Sequence, residues 1–285
     1  MKIGITGFNG FLGKHLVQFI KYKYEYELFN KNKYNLFNIE SMRQFVEDKD
    51  IIFHLAGSNR GSDDELIRIN TIGTMNLLEA IKRYSKKDTK IIYTSSLQVY
   101  GFTYELIRLN EKSPYKPDSV YGISKKTAED LIDYYNKRFD LKFIIFRISN
   151  IYGPGCRPYY NSVISTFIDF IKKNKRITIN GDGEQSRDFI YVSDVINAFS
   201  KILKQDYDSD IFNICTGKPT TINEIINTLK ILTNFTNDIQ YNENDAKTNY
   251  LIGDPSKANE IMGYKSKVSL KDGLTKTIQA YGDLL

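Results

Sequence analysis

A strand that turns into a helix through three glycines leaves a chain few folds to adopt. Lys2-Ile3-Gly4-Ile5-Thr6 reads as a short apolar strand, Gly7, Gly10 and Gly13 come directly after it, and a helical pattern runs from Phe11 to about Lys21. Missing side chains at such positions permit a tight turn, close approach of backbone to a pyrophosphate, and close packing of helix on sheet. The helix N-terminus adds N–H groups and a partial positive charge that suit phosphate. The spacing is Gly-x-x-Gly-x-x-Gly, one residue longer than the dehydrogenase form Gly-x-Gly-x-x-Gly. The competing reading is a plain strand–turn–helix corner with no ligand.

The next 130 or so residues (~130, to the end of a fifth strand) repeat that alternation. Tyr26–Phe29, Ile51–Leu55, Lys90–Thr94 and Phe143–Arg147 read as strands; Ser41–Asp48, Asp63–Tyr84 and Ser119–Phe139 read as helices. Short, nearly all-apolar strands separated by helices predict an α/β fold, a doubly wound parallel sheet covered on both faces. After Asn150-Ile151-Tyr152-Gly153-Pro154-Gly155 the rhythm changes. Residues 1–155 are therefore expected to form the dinucleotide-binding domain. Residues 156–285 are expected to form a smaller C-terminal substrate-binding lobe, with parts of 189–214 returning to the sheet. In that lobe helices are expected at about Ser162–Lys173, Ile222–Leu232 and Leu270–Tyr281, and a strand at Asp210–Ile214.

The balance of residues excludes several classes. Of 285 residues 41% are hydrophobic and 26% charged, ordinary for a globular protein. The net charge of +6 is spread along the chain with no basic stripe interleaved with aromatics, so no nucleic-acid partner is expected. Cys156 and Cys215 lack metal spacing and read as two free thiols. No apolar run approaches a membrane span, and a strand starting at Lys2 leaves no room for a signal peptide, so a cytoplasmic location is expected. His15 and His54 both read as structural.

The chemistry points to three side chains. Only one of the 21 tyrosines has a lysine four residues later, Tyr121 in Tyr121-Gly122-Ile123-Ser124-Lys125. On a helix these two share a face. A free phenol titrates near ~10, too high for general-base work at neutral pH. A neighbouring ammonium favours phenolate, and so does the positive charge of an oxidised nicotinamide ring. Tyr93-Thr94-Ser95-Ser96 ends a strand in hydroxyls, where open α/β sheets meet ligands, and Ser96 can hold a substrate oxygen. Where NAD binders usually carry an acid for the adenosine ribose, this chain has Asn30, followed by Lys31, Asn32 and Lys33. Asn with lysines tolerates a 2′-phosphate, so NADP is expected over NAD. Glu27 is the rival ribose partner if the strand ends earlier.

With these elements in order, the chain resembles the extended short-chain dehydrogenase/reductases, specifically the NAD(P)-dependent nucleotide-sugar epimerase/dehydratase family. Matching stretches are TGFNGFLG (6–13), HLAG (54–57), TSSLQVYG (94–101), YGISK (121–125), NIYGPG (150–155), GDGEQSRDFIYVSDV (181–195), FNICTGKPTTINEI (212–225) and MGYKSKVSLKDGL (262–274). The resemblance spans nearly the whole chain and implies a Rossmann sheet and a homodimer. It implies Ser96, Tyr121 and Lys125 as catalytic, and Gly7, Asn9, Gly10, Phe11, Leu12, Gly13, Asn30, Leu55, Ala56, Gly57, Thr94, Tyr121 and Lys125 at the cofactor. Ser96, Asn150 and Arg187 would meet the substrate, a nucleotide-diphosphate sugar, the last two at its diphosphate. A guanidinium suits that task because it forks two charge-assisted bonds to phosphate. No metal is implied.

Departures from the pattern narrow the activity. The family's 4,6-dehydratases have Asp-Glu after the catalytic hydroxyl; here Leu97 and Gln98 stand there, and a dehydratase is not expected. Lys247, Asn249 and Tyr250 occupy the region where a second diphosphate arginine often lies, and Asn180 stands where a base-facing aromatic often sits. The segment from Gly57 to Asn70 is short, and HLAGSNR with YYNSVISTF resembles NADPH-linked reductases of 4-keto-6-deoxy sugars. Hydride transfer at sugar C4 is the expected reaction, with such a reductase as the first reading and a nucleotide-sugar 4-epimerase as the alternative. A non-enzymatic nucleotide sensor on the same scaffold would have no use for the Ser–Tyr–Lys set.

Overall fold

The structure, a computed structural model, describes residues 1–160, 162–242 and 248–282. Its elements begin with β1 (Lys2–Thr6), α1 (Phe11–Ile20), β2 (Glu25–Leu28), α2 (Arg43–Val46), β3 (Ile51–His54) and α3 (Asp63–Ile67). A turn of π-helix at Arg68–Ile72 leads into α4 (Gly73–Tyr84), then β4 (Lys90–Ser96), the short β5 (Arg108–Leu109), α5 (Val120–Phe139) and β6 (Phe143–Ile148). Next come β7 (Asn150–Tyr152), α6 (Val163–Lys172), β8 (Ile177–Asn180), β9 (Ser186–Arg187), β10 (Phe189–Tyr191), α7 (Val192–Lys204) and β11 (Asp210–Ile214). The last elements are β12 (Thr220–Thr221), α8 (Ile222–Thr233), β13 (Ile239–Asn242), β14 (Tyr250–Gly253), α9 (Ser256–Met262) and α10 (Leu270–Ala280).

Six strands form the main sheet in the order β11-β6-β4-β3-β1-β2. Its β2–β1, β1–β3, β3–β4 and β4–β6 pairs are all parallel, as the strand–helix alternation predicts. The order reverses beside β1, so β1 and β3 open a crevice at their C-terminal ends, the usual ligand position of such sheets. Register carries Thr6 opposite His54 and His54 opposite Tyr93, which lines up the ends of three strands at that crevice. On one face Phe45, Leu77, Leu78, Ile81, Ala128 and Ile132 close over the sheet, all 5% exposed or less. Burying such side chains stabilises by about 1.5–3 kcal/mol each.

The chain separates into two compact units that interleave along the sequence. The first holds Met1–Gly101, Pro114–Ile148 and Phe199–Phe212; the second holds Phe102–Ser113, Ser149–Ala198 and Asn213–Leu285. In the second unit a small sheet runs β12-β9-β14-β5, and β7 pairs with β10 and β8 with β13.

The helix expected over Asp63–Tyr84 is interrupted. Ser62 starts it with a reciprocal capping box, its side chain accepting from Glu65 N–H while Glu65 reaches back to Ser62 N–H. The wider turn at Arg68–Ile72 then rotates Asn70 into the interior. Such π-turns concentrate at functional sites.

Candidate active site

Two backbone segments meet at the C-terminal end of β1 in the first unit: the glycine turn and the stretch after β3. Gly7 sits at φ +68°, and a Cβ there would lie 2.5 Å from the Ala56 nitrogen; a Cβ on Gly13 would lie 2.3 Å from the Gly7 carbonyl oxygen. Neither position accepts a side chain without moving backbone. Gly10 caps α1 with no side-chain bond, and no acid stands in the first turn. Phe11, Leu12 and Gly13 therefore lead with N–H groups, while Asn9 and Gly10 are exposed beside them. Leu55 and Ala56 pass directly over Gly7, and Ala56 N–H donates to Thr6 Oγ1 at 3.1 Å. This arrangement, a bare helix N-terminus beside a glycine turn, fits a dinucleotide diphosphate.

At the end of β2 the side chains sort differently from one of the two sequence readings. Asn30 is exposed, and its Oδ1 accepts from Asn32 N–H at 2.9 Å. Glu27, the rival ribose partner, is engaged elsewhere. Its carboxylate pairs with the fully buried Lys49 at 2.9 Å and with Lys33 at 3.4 Å, and accepts from the Tyr34 hydroxyl.

Ser96, Tyr121 and Lys125 lie in the same unit. Ser96 ends β4 and caps the following turn, its Oγ accepting from Gln98 N–H at 3.2 Å. Ser119 caps α5, accepting from Gly122 N–H at 3.1 Å, and so fixes the first turn that carries Tyr121. The Ser96 hydroxyl lies near the half-buried Tyr121 phenol and favours its ionised form. Lys125 is buried, donates to the Thr94 carbonyl at 2.9 Å, and has its Nζ 6.0 Å from the Tyr121 ring centroid. A Cβ on Gly57 would lie 3.2 Å from that Nζ. The helix-mate spacing thus delivers the ammonium between the strand end and the turn after β3.

Burial dominates the titration of both groups. It pushes the Tyr121 phenol up to about 12, and the Ser96 hydroxyl nearby only partly offsets this. It pulls the Lys125 ammonium down to about 8, against the charge of Glu129. The phenol thus starts as an acid that holds its proton, where the sequence reading stressed the neighbouring charge.

Asn70 and Thr74 of this neighbourhood belong to no sequence motif. Asn70, 1% exposed, clamps the Ser58 backbone through two bonds of 2.8 Å and donates to Ser124 Oγ at 2.9 Å. His54 sits between Thr6 Oγ1 (2.7 Å) and Thr74 Oγ1 (2.9 Å). Ala56 N–H donates to Thr6 Oγ1, and the Thr74 hydroxyl donates to the Asn70 carbonyl at 2.6 Å. Thr74 oxygen is then left to accept from Nε2–H, and the Thr6 hydroxyl to donate to Nδ1. Burial, with the Lys125 charge, holds His54 neutral with a pKa of about 3. The histidine is structural, as its strand-end position suggested. Asn70 was visible only as one more residue of a helix, because its role depends on the π-turn.

Asn150 and Arg187 belong to the second unit. There Asn150 N–H donates to the Asp188 carbonyl at 2.9 Å, where β7 pairs with β10, and Arg187 lies just before β10, in β9. The Arg187 guanidinium donates to the carbonyls of Ser186 and Asn249, and to Asn249 Oδ1 at 2.7 Å, and lies 4.2 Å over the Phe102 ring. Its fork is thereby held in one orientation. Lys247 and Asn161 lie outside the described residues. Among the described residues no group of three or more His, Cys, Asp or Glu could hold a metal ion, and no helix is long and apolar enough to cross a membrane.

This construction is similar to known proteins over its whole length. A Methanocaldococcus jannaschii protein assigned by inference as a UDP-glucose 4-epimerase is 32% identical over 298 residues, covering 96% of each chain. The human dTDP-D-glucose 4,6-dehydratase is 29% identical over 98% of this chain and 89% of its own. Among solved structures, the UDP-glucose 4-epimerase of Thermotoga maritima with UDP-glucose superposes with a TM-score of 0.89 at 28% identity, covering 99% of this chain and 98% of that one. RMD from Pseudomonas aeruginosa, complexed with NADPH, gives 0.88 at 25% identity over 98% of both. The model of the NAD dependent epimerase/dehydratase family matches residues 3–215, which include the glycine turn, the Ser96 strand end and the Tyr121–Lys125 helix. By that match, and by the relative that is 32% identical from end to end, the chain belongs to the NAD-dependent epimerase/dehydratase family.

Proposed function

We propose that the protein is a nucleotide-diphosphate-sugar 4-epimerase acting on a UDP-sugar. One arrangement carries this: a half-buried phenol with a strand-end hydroxyl near it, a buried ammonium one helical turn away, and no acid or base in the two positions after that hydroxyl. Leu97 is 2% exposed, and the Gln98 carboxamide accepts from Ser119 Oγ at 3.2 Å. Neither residue exchanges a proton near neutral pH, which argues against elimination of water. The 4-keto-6-deoxy-sugar reductase, the first reading of the sequence, has no specific support among the relatives. Its alternative has support from the UDP-glucose 4-epimerases similar in sequence and in structure.

In this reading the bound dinucleotide supplies a hydride acceptor and donor. Ser96 holds the C4 oxygen of the sugar. Tyr121 takes the proton of the C4 hydroxyl as the 4-keto sugar forms and gives it back once the sugar presents its other face. Lys125 keeps positive charge beside the phenol. Asn150 and Arg187 hold the diphosphate. A homodimer formed through α3–α4 and α5 belongs to the same reading; Ile123 and Tyr134 of α5 are exposed.

Incubation with UDP-glucose and separately with UDP-galactose tests the proposal. Interconversion without net change in reduced-nicotinamide absorbance is expected. Stoichiometric loss of that absorbance on a 4-keto sugar would reassign the enzyme as a reductase, and release of water as a dehydratase.

The ribose position carries a second expectation. Glu27, the rival ribose partner, is engaged by Lys49, Lys33 and Tyr34, and Asn30 is the exposed side chain past the end of β2. An amide does not repel a 2′-phosphate, and the exposed Lys31 beside it favours one. NADP should therefore raise the melting temperature more than equal NAD, the tighter ligand giving the larger shift. A larger shift with NAD would reject the preference.

A further inference from the structure

The Lys125 ammonium is buried with one charged partner at a helical turn's distance and an aromatic face against it. Its Nζ lies 4.7 Å from the centroid of the Tyr93 ring, closer than the 6.0 Å to Tyr121. Tyr93 is fully buried in β4, one residue before the Thr94 carbonyl that accepts from the same ammonium. The other side of the environment is closed as well. From α5 come Tyr121 and Glu129, and Glu129 is itself engaged by Arg147 of β6 at 2.7 Å. From β3 comes His54, held neutral, its ring 5.7 Å from that of Tyr93. Water is largely excluded here, with Lys125 5% and Glu129 2% exposed. Such desolvation is the condition under which a cation over a ring face gains most.

We propose that Tyr93 is a positioning residue whose ring face keeps the Lys125 side chain charged and in place beside Tyr121. The inference rests on the reading of Ser96, Tyr121 and Lys125 as the reacting set. It assigns the task to the ring and not to the hydroxyl. Lys125 is the group at risk, because burial already draws it to about 8, so a modest loss of stabilisation makes it neutral in the physiological range.

The test is a direct titration of lysine 13Cε signals in labelled, ligand-free protein. One lysine should titrate near 8, well below the rest, and its signal should be missing from Lys125→Met. Tyr93→Phe keeps the face and should keep that midpoint. Tyr93→Leu should lower it by about one pH unit. Phenylalanines carrying one, two and three fluorines, placed at position 93, preserve shape while draining the face of electron density. Their midpoints should fall in that order, which keeps the test decisive even if the leucine variant does not fold. An unmoved midpoint across the fluorinated series overturns the proposal, as does a Tyr93→Phe midpoint that falls as far as Tyr93→Leu. The catalytic reading is checked separately: full turnover of UDP-glucose by Lys125→Met would reject that reading, whereas collapse of turnover with an unmoved midpoint would reject only the role of Tyr93.

Discussion

Replacing Tyr121 by phenylalanine should lower turnover by about 10²–10⁴-fold, the usual contribution of a positioned general acid–base, while leaving dinucleotide binding in place. The variant removes one oxygen and keeps the ring, so α5 and its Ser119 cap are undisturbed. The proton that must leave and return at C4 disappears, together with the influence of the nearby Ser96 hydroxyl on it. A phenol near 12 is ionised to about one part in 10⁴–10⁵ at pH 7.5. The half-reaction that removes the alcohol proton should therefore quicken as pH rises, whereas the half that returns it already has its acid in hand. An epimerase needs both halves in one cycle. Unchanged turnover in Tyr121→Phe would remove the phenol from the mechanism. Cofactor binding with no turnover in either protein would favour the sensor reading.

Local constraints are the ones a sequence makes legible. The glycine turn is local: Gly7 and Gly13 are forced by backbone atoms within one strand–turn–helix and by the strand end beside it. Tyr121 and Lys125 are local too, because helical spacing alone puts them on one face. The parallel sheet was legible because most of its strands are short and apolar and alternate with helices from β1 to β6. The interleaving of the two units was not, since nothing in Phe102–Ser113 announces that it leaves the first unit and that Pro114 re-enters it. Nor was the π-turn, within which Asn70 meets partners 12 and 54 residues away. Glu27 shows the same limit. As a letter it is an acid near the end of a strand, and only the buried Lys49 reveals that its charge is engaged.

The pair of Glu129 and Arg147 was equally silent in the sequence, and it yields the second large effect. Arg147 is 1% and Glu129 2% exposed. The guanidinium meets the carboxylate through Nε at 3.1 Å and Nη2 at 2.7 Å, and donates to the hydroxyls of Tyr100 (2.8 Å) and Tyr115 (3.0 Å). Burial opposes its charge, yet the Glu129 bond outweighs burial and holds the group charged. Those two tyrosines bracket Phe102–Ser113, so Arg147 ties together the residues from which that segment leaves the first unit and to which it returns. Arg147→Met should destabilise the protein by about 3–5 kcal/mol, because it strands a buried carboxylate. Combining it with Glu129→Leu should recover much of the loss, since a buried pair replaced by apolar side chains of similar volume is often close to neutral. Urea unfolding of the two variants beside the wild type measures both. The carboxylate explanation would be lost if the double variant were as unstable as Arg147→Met alone, for the cost would then lie with the tyrosine hydroxyls and the segment they bracket.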